Sequence, residues 1–72
     1  MKAENIGKNA GIVWRTLYHN ETEMTFRELV QATQLSEIDV AAAIGWLSRE
    51  YKIRLDETEN EQLFSVFREC YY

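Results

Sequence analysis

The chain has 72 residues, the size of one small domain spanning residues 1–72, and a chain this short buries only about 60% of the surface its unfolded form exposes. Cys70 is the only cysteine and His19 the only histidine, which excludes an intramolecular disulfide and a conventional zinc site as supports for so thin a core and leaves a partner subunit as the expected one. Twelve acids against eight Lys and Arg give a formal net charge of −4, which repels phosphate backbones at long range without forbidding a local basic patch.

The first helix is expected over residues 5–18, with Asn5 as its cap. Ile6, Ala10, Val13, Trp14 and Leu17 recur at helical spacing and make one apolar stripe. Lys8 and Arg15 lie on the opposite side, and Ile12 sits between them where a polar residue is expected. Gly7 and Gly11 lie one turn apart, and each costs up to about 1 kcal/mol relative to alanine inside a helix. Close approach of another backbone is the expected reason for them.

Residues 19–23 are a polar break, and Met24 adds a short piece of strand. Thr25-Phe26-Arg27-Glu28 is a capping box that opens the second helix. Leu29, Val30 and Ala32 supply its buried side, and it ends near Thr33 and Gln34. After a turn at Leu35, Ser36-Glu37-Ile38-Asp39 caps a third helix, with Asp where Glu is usual. Two caps this close together, with so short a turn between the helices, are the signature of a helix-turn-helix.

The third helix is expected over residues 37–50, with Val40, Ala43, Ile44 and Leu47 packing on the first two. The period then changes to two: Ile53 and Leu55 alternate with Arg54 and Asp56. Asp56, Glu57, Glu59 and Glu61 stud a polar loop. A returning strand over residues 63–67 carries Leu63 and Phe67 on one face and Phe64 and Val66 on the other. A strand apolar on both faces is normally buried on both, so one face needs a cover: the Tyr71-Tyr72 tail, the first helix or a second subunit. The expected fold is mainly α with a small antiparallel sheet, a three-helix winged helix-turn-helix with a C-terminal β-hairpin wing.

The chemistry of that third helix is unlike a base reader. The positions that face the groove in such a fold are Glu37, Ile38, Asp39, Ala41, Ala42 and Gly45. None is Arg, Lys, Asn or Gln, the side chains that pair best with base edges. The acidic wing loop is equally ill suited to phosphate. A non-enzymatic module is therefore expected, transcription-factor-like in fold, that acts on another protein or as a homodimer. Ile12, Trp46, Phe64, Val66, Tyr71 and Tyr72 are its candidate interface, since together they make too large an apolar surface for a solitary monomer. The alternative is a small DNA-binding regulator that holds phosphates through Lys2, Lys8, Arg15, Arg49, Lys52 and Arg54. His19 sits near a helix C-terminus, where the dipole favours a cation. Cys70 has no candidate base beyond His19. No phosphate loop is present. Neither a catalytic residue, a metal nor a cofactor is expected. No apolar run is long enough to span a membrane or serve as a secretory signal, so a reducing cytoplasm is the expected compartment.

Two runs carry a family resemblance. Ala43-Ile44-Gly45-Trp46-Leu47-Ser48-Arg49-Glu50-Tyr51-Lys52-Ile53 resembles the AIGWLxRExKI motif of a small winged-helix family of unknown function in bacteria and archaea. Ile6-Gly7-Lys8-Asn9-Ala10-Gly11-Ile12-Val13-Trp14 resembles the IGxNAGxxW segment of the same family. The resemblance covers nearly the whole chain. It implies a winged helix-turn-helix fold and brings no activity with it, because function does not follow from fold.

Overall fold

The structure is a computed structural model that describes residues 2–67. Its elements run α1 (Ala3–Asn20), β1 (Met24–Thr25), α2 (Phe26–Thr33), α3 (Glu37–Arg49), β2 (Ile53–Glu57) and β3 (Gln62–Val66). The three strands form one antiparallel sheet in the order β1-β3-β2. Three helices and a small antiparallel sheet are the winged helix-turn-helix arrangement expected from the sequence.

α1 is longer than expected at both ends. Lys2 stands at its N-cap with no side-chain cap bond, and the Lys2 carbonyl accepts from the Asn5 N–H at 3.0 Å. Asn5 is therefore inside the helix and does not cap it. The other end runs to Asn20 and stops on Glu21, which is left-handed at φ 64. Gly7 does not mark a close approach, because a Cβ added there would meet nothing within 4 Å. Gly11 is buried along the core-facing side of the helix.

α2 begins as its cap residues dictate. Thr25 Oγ1 accepts from the Glu28 N–H at 3.1 Å, and Glu28 Oε1 accepts from the Thr25 N–H at 2.9 Å. Both halves of the box satisfy N–H groups that the first turn would otherwise leave unpaired. Leu29 is buried and Val30 half-buried, but Ala32 is exposed. The inward side of this short helix is completed by Phe26, not Ala32. Gln34 closes α2 in the left-handed region at φ 62, with its N–H donated to the Val30 carbonyl at 3.0 Å. Half-buried Leu35 pins the turn to the core, and Ser36 Oγ accepts from the Asp39 N–H at 3.2 Å to open α3.

The core forms where the inward sides of these elements meet. Ala10, Val13, Trp14 and Leu17 of α1 pack with Leu29, with Val40, Ala43 and Leu47 of α3, and with Met24, Ile53, Phe64 and Val66 of the sheet. Trp14 stacks on Tyr18 one turn later, ring centroids 5.1 Å apart.

The register explains which side of β3 turns inward. Phe64 lies opposite Met24 on one side and Leu55 on the other, and Val66 lies opposite Ile53. Cross-strand partners share a face, so these residues line one side of the sheet. Phe64 and Val66 are 7% and 6% exposed. Both were candidates for an interface; the chain's own helices cover them, and they offer no surface to a partner. Leu63 and Phe67 take the outer side, with Leu63 half-buried and Phe67 exposed. Tyr71 and Tyr72, candidate covers for that side, lie outside the described residues.

Candidate interaction surface

α3 is apolar around most of its circumference. One side carries the core residues Val40, Ala43 and Leu47, flanked by half-buried Ile44. The opposite side carries Ile38, Ala41, Ala42 and Gly45, spaced as i, i+3, i+4 and i+7, so that they form a single stripe. Ile38 is 63% exposed, Ala41 and Gly45 are exposed, and Ala42 is half-buried. A helix that is apolar all round is normally buried all round. Gly45 sharpens the point. A Cβ added there would meet nothing within 4 Å, so no contact inside the chain accounts for a glycine that costs up to about 1 kcal/mol relative to alanine.

Charges mark the ends of the stripe. Glu37 and Asp39 occupy the first turn of α3 and Arg49 its last, each matched in sign to the helix dipole. Trp46 flanks the stripe and is only about a third exposed, at 37%. It forms one edge of the exposed apolar side of the helix.

The junction between α3 and β2 is a complete Schellman closure. The Lys52 N–H donates to the Leu47 carbonyl at 2.9 Å, and the Tyr51 N–H donates to the Ser48 carbonyl at 3.1 Å. Tyr51 occupies the left-handed position, φ 56, where glycine is usual. Its ring stands out into solvent, 83% exposed. Sequence reasoning passed over Tyr51 because the usual signal for such a cap, a glycine, is missing.

The wing is ordered and acidic. Thr58 closes its tip: the Thr58 N–H donates to the Glu61 carbonyl at 2.8 Å, and Thr58 Oγ1 accepts from the Glu61 N–H at 3.0 Å. Gln62 Nε2 donates to the Asp56 carbonyl at 2.9 Å across the hairpin. Glu57, Glu59 and Glu61 are all exposed around that tip. Leu55 shares the inward side with Ile53, yet is 52% exposed, because the hairpin runs past the edge of the helical core. A shallow groove between α2 and the wing is lined by Phe26, Arg27, Val30, Glu37, Glu61 and Gln62, among others. It holds two acids against one cation.

The candidate phosphate contacts fall on two separate parts of the fold. Lys2, Lys8 and Arg15 are exposed along α1, while Arg49, half-buried Lys52 and Arg54 surround the end of α3. Arg54 also faces Asp56 at 3.7 Å, both half-exposed. Such a surface pair adds little stability, but it offsets the charge that a phosphate would need. Ile12 is half-buried in a shallow depression beside Arg15, His19 and Met24. Among the described residues, no group of His, Cys, Asp and Glu is placed to hold a metal ion, and no helix is long and apolar enough to cross a membrane.

Comparison with known proteins agrees with this geometry. The family model described as a winged helix-turn-helix domain (DUF2582) matches residues 1–66. Among solved structures, protein BT2368 from Bacteroides thetaiotaomicron, determined by solution NMR, is 30% identical with a TM-score of 0.79, over 92% of this chain and 79% of that one. A HOP2 chain, solved for its DNA recognition and protein interaction domains, is similar in fold at 19% identity and a TM-score of 0.75, over 82% of this chain and 98% of that one. No curated protein matches the chain. The chain belongs to the DUF2582 winged helix-turn-helix family.

Proposed function

We propose that this member of the winged helix-turn-helix family is a non-enzymatic module that docks on protein through the outer face of α3. The observation that carries the reading is that face itself. Where a DNA-reading relative of this fold needs base-edge donors and phosphate-holding cations, this helix presents Ile38, Ala41, Ala42 and Gly45 behind Glu37 and Asp39. An exposed apolar strip rimmed by charge matches the anatomy of a protein interface better than that of a groove-reading helix. The acidic wing tip supports the same reading, since it would meet a phosphate backbone with like charge.

Titration of the 15N-labelled chain with mixed-sequence duplex DNA, followed by amide shifts at low and then moderate salt, tests it. Electrostatic binding is strongest at low salt. The expected result is no shift across residues 37–45 at either salt. Shifts there that fade as salt is raised would overturn the docking reading and make α3 a DNA-contacting helix.

A second reading has its own observation. Lys8 and Arg15 are exposed two turns apart on one side of α1, with exposed Lys2 near its start. These side chains could hold phosphate without any base contact from α3, in a fold that HOP2 shares and in which DNA recognition is described. Loss of all DNA-induced shifts in a Lys8→Glu, Arg15→Glu variant would support it. A variant whose shifts match those of the unaltered chain would remove it.

A further inference from the structure

Resting on the docking reading, we infer that the occupant of the α3 face is a second copy of the same chain, packed antiparallel across a twofold axis at the middle of the helix. The strongest reason is the order of charge along the stripe. α3 begins with Glu37 and Asp39 and ends with Arg49. Antiparallel packing brings each Arg49 to the acidic end of the other helix, whereas parallel packing would set like charge on like. A twofold interface must be complementary to itself. A strip with an apolar middle and opposite charges at its two ends meets that condition.

The side chains in the middle fit the same arrangement. Exposed Ala41 and Gly45 and half-buried Ala42 leave room for two backbones to come nearer than the 8–10 Å typical of packed helices. With the axis at the middle of the helix, each Ala41 then faces the space above the partner's Gly45. That space is open in the single chain, since nothing lies within 4 Å of where a Cβ would stand. A helix of 13 residues is about 20 Å long. One face of that length covers less than the roughly 800 Å² per partner of a standard interface. The dimer is therefore weak, and forms only as the chain is concentrated.

Sedimentation equilibrium on the full chain, with amide shifts followed on dilution, tests the inference. The weight-average mass is expected to climb from monomer towards dimer as concentration rises from about 10 μM to about 1 mM, the range of a weak complex. Amides of residues 37–49 should shift over the same range. Glu37→Arg alone and Arg49→Glu alone should each weaken association by about tenfold. The double variant, which restores opposite charges across the twofold, should recover most of it. Ala41→Glu, which sets like charges against each other at the centre, should leave a folded monomer, with folding checked by the dispersion of its amide spectrum. A chain that stays monomeric at 1 mM overturns self-pairing, as does a dimer that Ala41→Glu leaves intact or charge reversals that the double variant fails to rescue. These outcomes are separate from salt-sensitive DNA shifts on α3, which would remove the docking reading beneath it.

Discussion

Tyr51 and Gly7 occupy each other's natural places. Tyr51 is left-handed at φ 56, a conformation that costs a non-glycine residue roughly 1–2 kcal/mol. Gly7 is in an ordinary helix position with open space beside it. Glu21 and Gln34 repeat the pattern at the ends of α1 and α2, so all three helices close on left-handed residues other than glycine. Tyr51→Gly is expected to stabilise the chain by up to about 1 kcal/mol, because the strain goes and an exposed ring is all that is lost. Gly7→Ala should add a similar, independent increment of about 0.5–1 kcal/mol. Urea unfolding followed by circular dichroism measures both. A Tyr51→Gly variant less stable than the parent would mean that the ring supports the junction through contacts of its own.

Among the elements, the two caps of the helix-turn-helix differ in kind. Thr25 exchanges two hydrogen bonds with Glu28 and also pairs with Leu63 in the sheet, whereas the Ser36 side chain accepts a single bond from the Asp39 N–H. Thr25→Ala should therefore cost about 1–2 kcal/mol and Ser36→Ala nearer 0.5–1 kcal/mol, within the known span for N-caps. Equal losses in thermal unfolding would show that the reciprocal half of the box adds nothing. Both caps were legible in the sequence because their partners lie three residues apart and geometry leaves little choice. The inward side of β3 was not legible. Leu63 and Phe67 are as apolar as Phe64 and Val66, and only pairing with Met24 and Ile53 from distant segments decides between them. The outer apolar stripe of α3 was half legible. Its lack of base-edge donors is plain from residue types, and the repeat of Ile38, Ala41, Ala42 and Gly45 on the side opposite Leu47 is a second helical stripe that the sequence already contains. Size and apolarity alone point instead to the large aromatic and aliphatic side chains, and two of these, Phe64 and Val66, belong to the core.

At the scale of the whole molecule, the small core makes stability sensitive to single contacts. Leu47, on the core side of α3, is fully buried, with 0% exposure. Its loss in Leu47→Ala is expected to cost about 2–5 kcal/mol, comparable with the entire 3–5 kcal/mol that a core of this size supplies. The variant should have no cooperative thermal transition above 37 °C, and a sharp one would show that the core collapses around the gap. The strand order has a different consequence, in time. β3, the last of the described elements to be synthesised, lies between β1 and β2 and is hydrogen-bonded to both. Until β3 has been made and has left the ribosome, Met24 and Ile53 have no sheet to join, and the nascent helices carry an open apolar side. The fold is completed at a single late step, when one strand inserted between two others closes the sheet.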